Sequence, residues 1–208
     1  MDYKTKFYQQ TNFNVSYKTR STILKIFEDN WNKHFDHDTE YQFTNKVLHR
    51  TNLMFEIHKF LGQYNLDLDY AGIQFFTSNI TQSSNTNPHV DVLHRQGLLP
   101  IRSRFNIMVL GNPLDPMFWW DTVKWGDSSL QKTEFSYKGN KHYSFGIKGE
   151  NILERWQYLG QPSCIKQNLL IPSAFVSTHY AHALNLSKGP RLIISVPFDK
   201  EISDYITG

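Results

Sequence analysis

The run Arg104–Asp121, "RFNIMVLGNPLDPMFWWD", joins two β-like stretches through a turn cluster, Gly111-Asn112-Pro113. The first arm alternates apolar residues around a central Asn106, and the second, "MFWWD", is aromatic. Each is too short for an ordinary helix and is bounded by residues that favour turns. The same texture continues in both directions from residue 70 onward, in "AGIQFF", "TEFSYKG", "HYSFGIK", "CIKQNLLIP" and "RLIISVPF". Upstream the period changes: Ile23, Phe27 and Trp31 recur at helical spacing, as do Leu53, Ile57 and Leu61 with Phe60 beside them. Helices followed by many short strands predict an α+β chain, with helices packed on one face of an antiparallel sandwich or barrel. No repeat or low-complexity linker divides it. We expect a single domain over 1–208, with a helical part over about 1–68 and a β core over about 69–198.

Composition narrows the function classes. Hydrophobic residues make up 39 % and aromatics 15 %, which separates this chain from disordered ones. The formal net charge of +3 carries no Lys/Arg block, so nucleic acid is unsupported as a partner, though it is not excluded as a substrate. A lone cysteine, Cys164, forbids an intramolecular disulfide and disfavours a thiolate zinc site, which points to a reducing cytoplasm. The first ten residues lack an apolar signal region, and no apolar run approaches the ~18 residues of a membrane span. The expectation is a cytoplasmic protein without a membrane partner.

The chemistry starts at Asn87–Asp91, "NPHVD". In extended chain His89 and Asp91 share one face while Val90 points away, so imidazole and carboxylate offer two ligands to one metal ion. Alone, H-x-D could equally be ordinary polar surface at the mouth of a strand. A two-histidine, one-carboxylate face for a non-haem Fe(II) centre needs a second imidazole. His182, in "STHYAHALNLSKGPRLIIS", is the candidate. Arg191 follows it by nine residues and opens an apolar strand, where a buried guanidinium needs an anionic partner. Its forked donors suit the far carboxylate of a metal-chelating dicarboxylate. Ser195, four residues on and on the same face, offers a hydroxyl to that carboxylate.

The order H-x-D, a strand, a long excursion, then H-x8-R-x3-S resembles the Fe(II)/2-oxoglutarate-dependent dioxygenases. The segment after H-x-D is similar to that of small, phage-type members. The resemblance covers roughly residues 70–198 and implies a double-stranded β-helix (jelly-roll) core. It further implies Fe(II) held by His89, Asp91 and His182, with 2-oxoglutarate clamped by Arg191. O2 would be the oxidant, ascorbate a possible reductant, and hydroxylation with release of succinate and CO2 the reaction. Because Asp91 is retained, hydroxylation rather than halogenation is implied. Position 193 is Ile, where many members carry Arg-x-Ser, and the Gly-Gly-x-Thr stretch of prolyl-hydroxylase-like members is absent. No arginine follows Arg191 to match the nucleic-acid-repair branch.

Other candidates carry two readings each. His179 competes with His182, but its twelve-residue step to Arg191 departs from the family step and leaves it as a surface or supporting histidine. His94 reads as a bystander. Asn106 either donates to the 2-oxoglutarate C1 carboxylate or a water, or is purely structural. Arg104 reads as a solvated arginine. Trp119, Trp120 and Asp121 line a substrate mouth or, for at least one indole, the core. Gln74 and Phe76 border the co-substrate pocket, and the polar stretch Asn79–Pro88 forms a mobile lid. The substrate is a small molecule or peptide, with an amino-acid or peptide side chain favoured. The alternatives are a cupin-like metal-binding protein and a non-catalytic jelly-roll module.

Overall fold

A computed structural model describes residues 6–31, 37–68, 72–93, 99–137 and 140–206. A short strand, β1 (Tyr8–Thr11), precedes three helices: α1 (Tyr17–Trp31), α2 (His37–Arg50) and α3 (Leu53–Leu61). The strands β2 (Gln74–Ile80), β3 (Ser84–Asn85), β4 (His89–Val90), β5 (Val92–Leu93), β6 (Leu99–Pro100), β7 (Ser103–Leu110), β8 (Met117–Lys124), β9 (Leu130–Tyr137) and β10 (Asn140–Ile147) follow. After a fourth helix, α4 (Ile152–Leu159), come β11 (Cys164–Lys166), β12 (Ser173–Ser177), β13 (Tyr180–Leu186) and β14 (Gly189–Phe198). The protein is α+β, and its sheets are antiparallel.

Five strands form one sheet in the order β1-β12-β7-β14-β2. A second sheet runs β11-β8-β13-β4-β10-β9, with β3 added on β13. Alternation along β7 explains how the layers stack. Phe105, Ile107 and Val109 turn toward the helices, in one apolar cluster with Ile23 and Phe27 of α1, Phe43 of α2 and Ile57 of α3. Met108, on the opposite face, joins Met117 and Trp119 of the second sheet, together with Val176 and Ile193. With both faces covered, β7 reads as nearly continuous apolar sequence. β14 obeys the same parity: Leu192, Ile194 and Val196 face the helices, while Ile193 faces the other sheet.

The helices are held to the sheet by this apolar face. In α3 the spacing Leu53, Ile57, Phe60, Leu61 puts all four buried residues on one side. Ser16 opens α1, its hydroxyl accepting from the Thr19 N–H at 3.3 Å. Glu56 of α3 accepts from the Ser16 N–H at 2.8 Å, the Ser16 hydroxyl at 2.7 Å and the Thr19 hydroxyl at 2.6 Å. One carboxylate thus ties the start of α1 to α3.

Several expectations change. The helices do not come first, because β1 pairs with β12 at the sheet edge. α4 is a helix within the part of the chain expected to be strands. Only Cys164–Lys166 of "CIKQNLLIP" is strand, while Leu169 and Leu170 are buried in the turn beyond it. The stretch Asn79–Pro88 is not a free lid. Asn79 and Ile80 belong to β2, Ser84–Asn85 pair with β13, and Thr86 exchanges hydrogen bonds with Leu184 at 2.7 Å in both directions. Among the described residues, no helix is long and apolar enough to cross a membrane.

Candidate metal centre

β4 and β13 lie side by side in the second sheet, with His89 directly opposite His182. Their rings are 4.6 Å apart, centroid to centroid. Asp91, two residues beyond His89, brings its carboxylate to the same face. Its Oδ1 lies 3.3 Å from His89 Nε2 and 3.8 Å from His182 Nε2. One ligand atom from each of His89, Asp91 and His182 falls within 4.8 Å of the other two. Val90, between the two ligands, turns the other way into a cluster with Trp120 and Ile147.

Local hydrogen bonds set which nitrogen each imidazole offers. His89 Nδ1 donates to the Asn87 carbonyl at 2.8 Å, and His182 Nδ1 donates to the Tyr180 carbonyl at 3.0 Å. A carbonyl can only accept, so both Nδ1 atoms carry hydrogen and both Nε2 atoms are left to face Asp91. The same device, a ring bonded to the carbonyl two residues back, recurs on both strands.

The electrostatics follow from burial and from Asp91. Burial alone pushes the Asp91 carboxyl up, but the Arg104 guanidinium and the His89 hydrogen bond hold it well below the usual carboxylate range. Burial and the neighbouring His89 push His182 down to about 4, so its ring is neutral and its lone pair free. For His89 burial works against charge, yet the hydrogen bond and charge of Asp91 prevail and raise it. Two neutral-capable imidazoles and one ionised carboxylate are compatible with a divalent metal such as Fe(II).

The three groups open into a cavity of about 370 Å³ between the sheets. Arg191 and Asn106 line the same cavity, with apolar walls from Met108, Met117, Leu169, Leu170 and Ile193. Arg191 Nε and Asn106 Oδ1 are buried and have no hydrogen-bond partner among the described residues. Burial pulls the Arg191 guanidinium below its ordinary value, against the charge of Asp115. A guanidinium with a buried, unpartnered Nε, lining a cavity, has the chemistry of an anion receptor.

The remaining candidates fall elsewhere. Ser195 is fully buried and accepts from Arg104 Nη1 at 3.2 Å, so it supports Arg104. Gln74 Oε1 also accepts from Arg104 Nη1, at 2.8 Å. Arg104 itself, expected in solvent, is buried and pairs through Nε with Asp91 Oδ2. Phe76 lines the cavity and lies 5.2 Å from the Arg104 guanidinium. Trp119 and Trp120 do not reach the cavity. They alternate to opposite faces, but both are closed over, their indole N–H groups donating to the carbonyls of Ser177 (2.9 Å) and Gly160 (3.1 Å). Asp121 binds Lys6 and Ser163 near the surface. His179 is buried rather than superficial, 3.9 Å from Glu201 and outside the ligand group. His94 lies outside the described residues.

Sequence reasoning missed the support beneath His89. Arg155 of α4 donates to Asn87 Oδ1 at 2.8 Å, and Trp156 Nε1 donates to the Thr86 carbonyl at 3.1 Å. The helix that carries them was signalled by Asn151 and Glu154, an N-cap and its partner three residues on, with Gly160 closing the helix. Against models of known protein families and against curated proteins, the chain finds no match.

Proposed function

We propose that this protein is a non-haem Fe(II)- and 2-oxoglutarate-dependent oxygenase that hydroxylates an amino-acid or peptide side chain. The observation that carries the reading is one cavity holding two Nε2 atoms and a carboxylate oxygen at mutual ligating distance, together with Arg191, whose buried Nε has no hydrogen-bond partner among the described residues. The facing antiparallel sheets support a jelly-roll, or double-stranded β-helix, as the underlying fold.

His89, Asp91 and His182 would hold Fe(II), leaving the other positions of an octahedron open. The metal, with 2-oxoglutarate and O2, supplies the oxidising equivalents: one oxygen atom enters the substrate C–H bond, the other enters succinate, and CO2 leaves. Arg191 binds and orients the far carboxylate of the co-substrate, and the amide N–H of Asn106, which lines the same cavity, is the candidate donor to its other end. Met108, Met117 and Ile193 keep water from the walls, which strengthens the charge pairing inside. The exposed Phe76 stands at the rim, where a substrate side chain enters.

Succinate release from 2-oxoglutarate in the presence of Fe(II), with and without candidate amino acids and peptides, tests the reading. Turnover that requires His89, Asp91, His182 and Arg191 is expected. Metal binding without any consumption of 2-oxoglutarate would instead identify a cupin-like metal protein. Absence of both metal binding and turnover would leave a jelly-roll module.

A further inference from the structure

We infer that Arg104 is a positioning residue that confines Asp91 to one metal bond and so preserves the number of open coordination positions. The inference rests on the metal-centre reading above and goes beyond it to how the centre is kept vacant enough to work.

Asp91 presents two oxygens with different partners. Oδ1 faces the two Nε2 atoms, at 3.3 and 3.8 Å, while Oδ2 is bound by Arg104 Nε. Arg104 cannot swing away, because neighbouring strands fix its other end. Nη1 donates to Gln74 Oε1 of β2 at 2.8 Å and to Ser195 Oγ of β14 at 3.2 Å. Gln74 and Ser195 are cross-strand neighbours, and Ser195 also pairs in register with Asn106, two residues along from Arg104. The ring of Phe76 lies against the guanidinium at 5.2 Å. Arg104 is therefore preorganised, and the whole assembly belongs to the sheet opposite the two histidines.

The consequence is a matter of counting. An octahedral ion bound by two imidazoles and one carboxylate oxygen keeps three positions, whereas a chelating carboxylate would leave two. A bidentate co-substrate and O2 together need three. With Oδ2 committed to a fixed guanidinium, the second metal–carboxylate bond would require breaking a buried charge-assisted pair. Arg104 thus acts on the metal through Asp91 without touching it, in the manner of outer groups that orient metal ligands. Gln74 and Ser195, candidates for contacts with the ligands, instead hold Arg104.

The test counts water on Mn(II) bound at the centre, by proton relaxivity per bound ion. Wild-type protein is expected to carry three exchangeable waters, and Arg104→Met to lose about one third of that relaxivity as Asp91 closes on the metal. Arg104→Lys, which keeps a cation beside Oδ2, should restore most of it. Gln74→Met is the second variant should Arg104→Met fail to fold: it removes one of the two acceptors that hold Nη1, leaves Asp91 untouched, and should shift relaxivity in the same direction by less. Equal relaxivity in wild type, Arg104→Met and Gln74→Met overturns the inference while the metal centre stands. Failure of the wild type to bind Mn(II) overturns the metal-centre reading, and this inference with it.

Discussion

His89 and His182 meet as a direct cross-strand pair between β4 and β13, their rings 4.6 Å apart. A sheet places opposite residues at a fixed spacing, so the pairing register itself sets the distance between the two imidazoles. Asp91 completes the group only because the chain leaves β4 after Val90 and its N–H bonds to the Thr178 carbonyl at 3.2 Å. The three side chains are therefore brought together by backbone pairing alone.

Replacing Asp91 should harm the fold more than replacing His89. Asp91→Ala leaves Arg104 buried and unpaired, a loss of about 3–5 kcal/mol for one partner of a buried pair. His89 is more exposed and its ring can be removed at lower cost. Urea midpoints of Asp91→Ala and His89→Ala measured without metal should differ in that direction, although both variants lose metal binding.

Arg191 is expected to be a burden to the empty protein. Its Nε is buried without a partner, so Arg191→Met should raise the melting temperature in the absence of ligands. The same variant should lose any stabilisation by 2-oxoglutarate. Thermal melts of both proteins with and without the dicarboxylate read out both signs.

Gly111 guards the position of Arg191. A Cβ there would lie 3.3 Å from Arg191 Cγ, and its φ of +144° is a conformation that L side chains rarely adopt. Gly111→Ala should weaken 2-oxoglutarate binding while leaving metal affinity unchanged. Parallel titrations of metal and dicarboxylate on the variant separate the two.

The α4 clamp predicts a distant effect on metal binding. Arg155 fixes Asn87, whose carbonyl in turn fixes the His89 ring. Arg155→Ala should lower metal affinity about 10-fold or more, as expected when a group that orients a ligand is lost. Trp156→Phe, which removes the donor to Thr86 and trims the ring packed on Phe118 and Trp120, should have a smaller effect in the same titration.

Glu56 gives the helical layer an acid-sensitive tie. Burial pushes its pKa up, but the Thr19 hydroxyl, the Ser16 N–H and the Ser16 hydroxyl together lower it. The folded value lies below the unfolded one. The stability it contributes is therefore full above the ordinary carboxylate range and is lost as pH falls through the folded value. Glu56→Gln should lower the urea midpoint at neutral pH and narrow the gap to wild type under acid conditions.

Periodicity in the chain was enough to mark α1 and α3, the change to strands near residue 70, and the pairing of His89 with Asp91 on one face. It also marked Arg191 as an arginine that needs an anion, whereas the preference for His182 over His179 came from the resemblance and its step to Arg191. These features are local: they depend on alternation, on turn residues, and on the mismatch of a charge within an apolar run. Arg104 defeated the same logic. An arginine in a strand whose other face is apolar reads as solvent-facing, and only the second sheet, folded across it, puts that face indoors. Trp119 and Trp120 failed for a related reason. Alternation correctly sent them to opposite faces, but whether a face meets a cavity, a neighbouring sheet or α4 is a property of the packed layers. Strand partners distant in sequence, such as β4 with β13 and β2 with β14, are chosen by burial summed over the whole chain. That summed burial brought Asp91 to Arg104 and turned Asn79–Pro88 from an expected lid into a paired and clamped support for the strand that carries His89.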